Sequence, residues 1–165
     1  MSKTSKTEDL IKQWKTLKQN WMTVESATGG AIAAEITSTP GASQVFSGSL
    51  VVYQGSMKKF WLDIDPENFG GEVGLEITEA LAESALTQCP NNDGVLAITG
   101  HFGPDAPKAL DGKVYFAVAQ KEQTKKGARI SIHVQETKLI YKTRVKRTEE
   151  CVKLAIRFLA DSLAS

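Results

Sequence analysis

Between Asp93-Gly94 and Gly100 the chain runs Val95-Leu96-Ala97-Ile98-Thr99, with no alternation of polar and apolar residues. A strand of this kind must be covered on both faces, so it belongs at the centre of a sheet with helices above and below. Residues 114–119 form a second such run, and residues 21–24 and 45–53 read as further strands, Gly48 marking a bulge or close approach in the latter. In residues 128–134, Ile130, Ile132 and Val134 alternate with Arg129, Ser131 and His133, which predicts a strand nearer an edge with the aliphatic residues inward. Residues 121–127 read as the polar turn before it.

Helical spacing fills the intervals. Leu10, Trp14, Leu17 and Trp21 share one helix face, and residues 30–36 form an alanine-rich helix stopped by Pro40-Gly41. A short helix covers 54–62 and a surface loop 63–71. A longer helix covers 74–88, with Ile77, Leu81 and Ala85 inward and Glu76 and Glu79 near its positive end. The last helix ends near Leu163 and carries Val152, Ala155, Ile156, Leu159 and Leu163 on its apolar stripe. At 165 residues, 41% hydrophobic and 24% charged, this is one α/β domain, a three-layer α/β/α sandwich around a mixed sheet. Residues 1–8 read as a frayed N-terminus and 9–165 as the domain.

Composition narrows the partners. A formal net charge of +1 argues against general polyanion binding, so no nucleic acid is expected. Cys89 and Cys151 form no Cys-x-x-Cys pair, and residues 1–6 have no apolar signal core. No apolar run approaches the ~20 residues that span a bilayer. A cytoplasmic protein without a membrane partner is therefore expected. His101 and His133 lie far apart with no cysteine or paired carboxylate at ligand spacing, which predicts no metal.

The stretch Val24-Glu25-Ser26-Ala27-Thr28-Gly29-Gly30 takes a strand into a Gly-rich helix start, which gathers free backbone N–H groups at one point. Ser26 at its mouth suits a nucleophile beside an oxyanion hole or a hydroxyl that caps the helix. Farther on, Tyr53-Gln54-Gly55-Ser56-Met57-Lys58 places a tyrosine at a strand end and a lysine on the next helical turn. A buried lysine can act as base toward a serine, with a tyrosine orienting or relaying; the alternative is an aromatic strand end followed by the solvated charges Lys58 and Lys59. His101 opens a Gly/Pro-rich loop, residues 101–107, after the central strand, where open α/β sheets hold ligands. Lys138, Lys142, Arg144, Lys146 and Arg147 could meet phosphate but read as a solvated face.

With Glu25-Ser26-Ala27-Thr28-Gly29-Gly30, Pro40-Gly41-Ala42-Ser43, Tyr53 with Lys58, and Ala97-Ile98-Thr99-Gly100 in that order, the chain resembles the C-terminal domain family of the competence/damage-inducible protein CinA, from about Val24 to Leu163. The resemblance implies an α/β/α domain, often a homodimer, and, from stand-alone members, hydrolysis of the carboxamide of nicotinamide mononucleotide to nicotinic acid mononucleotide and ammonia, with no cofactor. It implies Ser26 as nucleophile, Lys58 as the lysine that activates it and Tyr53 as the active-site tyrosine. Thr28, Gly29 and Gly30 match the helix start that would bind the oxyanion. Thr99 and Gly100 match the strand end facing the site, His101 and Gly103 belong to the substrate loop, and Arg144 lies near an arginine that could hold phosphate.

Departures accompany the likeness. Ala27 stands where the family commonly has cysteine, and Gly74 where a serine often starts the middle helix. Asp105-Ala106-Pro107 replace flexible glycines, so a carboxylate sits in the expected phosphate loop, where it would repel a mononucleotide phosphate unless paired. His101 and Phe102 are bulkier than the usual residues. The altered loop supports an alternative function, a retuned or inactive small-molecule or nucleotide-binding member of the same fold.

Overall fold

The structure, a computed structural model, describes residues 5–124 and 127–163. Its central strand is β3, Gly94–Gly100, inside a five-stranded sheet of order β2-β1-β3-β4-β5, where β1 is Trp21–Glu25, β2 Phe46–Val51, β4 Lys113–Thr124 and β5 Gly127–Lys138. β1 runs parallel to both β2 and β3, while β4 and β5 are antiparallel additions. The unbroken apolar run explains this placement. Leu96 and Ile98 enter one core with residues of α1 (Lys6–Leu17), α2 (Ala31–Thr37) and α5 (Arg144–Ser162), while Val95 and Ala97 enter the other with residues of α3 (Gly55–Leu62) and α4 (Leu75–Gln88). The sheet is mixed and helices cover both faces.

Trp21 illustrates how local and tertiary preferences separate. Its spacing joins it to the first helix, yet α1 closes at Leu17 with Lys18 in the left-handed region. Trp21 begins β1, as the strand reading of residues 21–24 expects, and stacks on Trp14 at 5.3 Å between ring centroids. Leu17, expected on the buried face, is exposed because the helix ends there. The stack requires Gly94 on the neighbouring strand, since a Cβ there would stand 2.3 Å from the Trp21 ring.

Several boundaries move. Ser5 caps α1 through its side chain, so residues 5–8 belong to the helix start rather than to a frayed tail. Val45 follows a 3-10 turn, Ala42–Gln44, and lies outside β2. The loop over 63–71 contains another such turn, Pro66–Phe69, capped by Asp65. The expected turn over 121–127 is strand up to the Thr124 and Gly127 pair, residues 125 and 126 lying outside the described residues. β5 is the edge, as its alternation implies, but Ile130 and Val134 are exposed rather than inward, and only Ile132 packs partly against the core. Aliphatic alternation marks a sheet face; whether helices reach far enough to cover it is a tertiary matter.

Candidate functional site

The strand order reverses at β1, which has β2 on one side and β3 on the other. Open α/β sheets form their ligand crevice beyond the C-terminal ends of strands at such a point. Ser26 follows β1, Tyr53 follows β2, and Gly100 ends β3; all three line one pocket of about 320 Å³ together with Glu72, Asp105 and Arg144.

Lys58 reaches this point from α3, whose buried residues Gly55, Lys58 and Leu62 fall at helical spacing. Its side chain is fully buried. Nζ lies 3.3 Å from Ser26 Oγ and donates to the Val52 carbonyl oxygen at 3.1 Å. The Glu72 carboxylate stands 3.9 Å away, with its own side chain about half exposed. Burial pulls the Lys58 pKa below the ordinary lysine value, and the Glu72 charge partly offsets the shift. The bland alternative, a solvated helix lysine, is therefore excluded for Lys58 and holds for Lys59, which is exposed and pairs with Asp65.

The helix start after Ser26 is engaged differently from the sequence expectation. Gly29 and Gly30 both have positive φ, 61° and 98°, which is why two glycines stand there. The Gly29 N–H donates to the Ser26 carbonyl oxygen. The fully buried Glu25 carboxylate accepts from the N–H groups of Gly30, Ile32 and Ala33 and from the Thr28 hydroxyl. Hydroxyls of Ser49 and Thr23 add longer contacts. Thr28, Gly29 and Gly30 thus hold Glu25 and the turn and do not line the pocket. Among the described residues, no acceptor meets the Ala27 and Thr28 N–H groups. Thr99 is also turned inward, sharing a 2.7 Å hydrogen bond with Thr78 that ties β3 to α4. Gly74 begins α4 without a side-chain cap.

Tyr53 lines the pocket but bonds to neither Ser26 nor Lys58. Its hydroxyl accepts from Arg144 Nη2 at 2.5 Å, while Arg144 Nη1 donates to the Gly103 carbonyl oxygen at 3.0 Å. The guanidinium also lies 5.9 Å from the ring centres of both Tyr53 and Phe102. Arg144 therefore clasps the loop that carries His101 and Gly103, both of which line the pocket. Partial burial lowers the His101 pKa, with Asp111 opposing the shift. His133 sits half-buried on β5, away from this pocket.

Arg147 corrects the reading of the basic run as a solvated face. It is buried, grips Asp111 through both terminal nitrogens at 2.6 and 2.7 Å, and donates Nε to the Tyr141 carbonyl oxygen. A Cβ on Gly103 would lie 3.0 Å from this guanidinium, so Arg147 also supports the loop over 101–107 from behind. A lysine cannot reproduce that fork. Arg147→Lys is expected to lower the thermal midpoint by roughly 5 °C and to speed amide exchange over residues 101–112; unchanged exchange there would refute the support role. The same pairing holds the Asp111 carboxyl below its ordinary value of 3.8. Its contribution is present above that value and is lost as pH falls through the depressed one.

Sequence reading missed Glu25, Glu72 and the Asp111–Arg147 pair. A charged residue at the end of an otherwise apolar strand, immediately before a Gly-Gly helix start, was the available signal for Glu25. Glu72 carried none, lying among turn formers. Among the described residues, no three His, Cys, Asp or Glu side chains gather as a metal site, and no helix is long and apolar enough to cross a membrane.

The chain is similar to known proteins in sequence and in fold. A CinA-like protein of Myxococcus xanthus is 38% identical over 112 residues, covering 66% of this chain and 26% of its own length. One from Acidobacterium capsulatum is 39% identical over 107 residues, 61% and 25% of the respective lengths. The chain thus spans about a quarter of the length of these curated relatives. The competence/damage-inducible protein CihA of Agrobacterium tumefaciens superposes with a TM-score of 0.80 at 26% identity, over 96% of this chain and 97% of that one. A CinA superfamily protein of Klebsiella pneumoniae shares the fold, with a TM-score of 0.83 at 21% identity over 96% of each chain. Residues 3–163 match the family described as CinA C-terminal domain, and with the fold agreeing over nearly the whole length, the chain belongs to that family.

Proposed function

We propose that the chain is an amide hydrolase in which Ser26 is the nucleophile and Lys58 the general base. The observation that carries this reading is the fully buried Lys58 Nζ at 3.3 Å from Ser26 Oγ. With the amine neutral, the Ser26 hydroxyl donates to it; Lys58 takes that proton as Oγ attacks the amide carbon. The oxyanion turns toward the N–H group of Ala27, which follows Ser26 and lines the pocket. Lys58 then returns the proton to the departing nitrogen, releasing ammonia and leaving an ester on Ser26. A water molecule, deprotonated by Lys58, cleaves the ester to the carboxylate. Tyr53 and Arg144 frame the mouth, and the Gly100 to Gly103 segment forms its wall.

Family resemblance puts nicotinamide mononucleotide first among candidate amides. Purified protein incubated with it is expected to release ammonia, and the rate is expected to rise with pH through a pKa below the ordinary lysine value, since only neutral Lys58 accepts a proton. Absence of ammonia from nicotinamide amides across the pH range would reject the reading. One observation favours a second reading, a binding module without turnover: Arg144, not Ser26, holds the Tyr53 hydroxyl. Tight nucleotide binding with no ammonia release would decide for it.

A further inference from the structure

The segment that leads into α4 brings a carboxylate to Lys58. At the start of α4, the Gly74 N–H donates to Thr99 Oγ1 at 3.3 Å, and Thr78, which shares a hydrogen bond with Thr99, donates to the Gly74 carbonyl oxygen. β3 thus anchors the entry to α4, and Glu72 lies two residues before that anchor. Its carboxylate comes down on Gly55, the first residue of α3: a Cβ there would stand 2.6 Å from Glu72 Oε1 and 3.0 Å from its Cδ. Only a residue without a side chain leaves Glu72 that seat. Lys58 follows less than one helical turn along α3, with Nζ 3.9 Å from Glu72 Oε2.

As an ammonium, Lys58 carries three N–H groups on a fully buried side chain. The Val52 carbonyl oxygen and Ser26 Oγ accept two of them. Among the described residues, Glu72 is the one carboxylate within ion-pair range of Nζ. The surroundings otherwise oppose the charge or are neutral to it. Arg144 keeps its full positive charge in the same pocket, whose other titratable lining groups are Tyr53, His101 and Asp105. α4 buries only apolar residues and Thr78, Glu25 is enclosed by the start of α2, Lys59 is paired with Asp65, and Glu67 is exposed.

We propose that Glu72 is the positioning residue of the Ser26–Lys58 pair: its carboxylate holds the resting Lys58 ammonium beside Ser26 and sets the pH above which that lysine can act as a base. The proposal rests on the amide-hydrolase reading for the part Lys58 plays in turnover, but not for the hold of Glu72 on the ammonium. Burial and Arg144 favour the neutral amine and Glu72 favours the charged one, so the carboxylate is a brake whose removal extends turnover toward lower pH.

Glu72→Gln removes the charge and keeps the shape. With nicotinamide mononucleotide as substrate, kcat/KM on the acid limb, taken relative to the plateau at high pH, is expected to rise about fivefold over the unaltered protein. Gly55→Ala keeps the carboxylate but displaces it, and should move the limb the same way by a smaller factor. A second measurement needs no turnover: the NMR signal of Lys58 Cε, identified by its loss in Lys58→Met, is followed against pH, and its midpoint is expected to fall in both variants. A rate lowered equally at every pH, or a Cε midpoint unmoved by Glu72→Gln, would overturn the proposal. A lowered midpoint with no ammonia from any nicotinamide amide rejects the hydrolase reading and leaves the hold of Glu72 on Lys58 standing.

Discussion

Ser26→Ala and Lys58→Met are each expected to lower ammonia release by a factor on the order of 10³ or more, and the double variant by no more than either alone, because a nucleophile and its base act as a unit. Lys58→Met has a second expected consequence of opposite sign. Its thermal midpoint should rise, by roughly 2–4 °C if the gain is about 1 kcal/mol. Lys58 is fully buried, with one carbonyl, one hydroxyl and a partly solvated carboxylate as its neighbours. Methionine has similar length and no charge to desolvate.

The pH dependence of that gap follows from the lowered Lys58 pKa. Between the folded value and the ordinary 10.5, the unfolded chain binds more protons than the folded one, so the unaltered protein gains stability as pH rises. The difference between variant and parent should therefore be largest below the folded pKa and close toward pH 10.5. A Lys58→Met protein that melts several degrees lower would show the lysine to be a structural element.

Glu25→Gln should produce the largest loss of stability. The carboxylate is buried and its two oxygens serve the first turn of α2, the Thr28 hydroxyl and, at longer range, the hydroxyls of Ser49 and Thr23. An amide turns one of these acceptors into an NH₂ group facing donors, leaving buried N–H groups unsatisfied, which costs about 3 kcal/mol or more. For a domain of this size that corresponds to a fall on the order of 10 °C. Because Ser26 lies on the turn between Glu25 and the groups it caps, turnover measured well below the melting temperature should fall as well. A thermal midpoint within a degree of the parent would refute the capping role.

Much of the fold was legible because its signals are local. An apolar run without alternation at Val95–Ile98 needs cover on both faces, and Gly29-Gly30 needs positive φ, whatever surrounds them. Trp21 fits both the helical spacing and the start of the 21–24 strand, and it begins β1, where its stacking on Trp14 is a contact between elements. Ile130 and Val134 followed a sheet alternation but lacked a layer to cover them. In the candidate site, Lys58 read more readily as a solvated charge from its own neighbours; only the packing of α3 beside β1 removes its water and sets it against Ser26.

By itself, the sequence determined the order and type of most elements, the strand-to-helix turn that carries Ser26, and family membership through motifs in a fixed order. Tertiary structure decided which groups share solvent and which do not. It gave the α2 start to Glu25 rather than to a ligand, tied Arg144 to Tyr53 and the loop, buried Arg147 against Asp111, and set Glu72 and Asp105 around one pocket. These outcomes depend on distance and desolvation between residues far apart in the chain, quantities that periodicity and propensity do not contain.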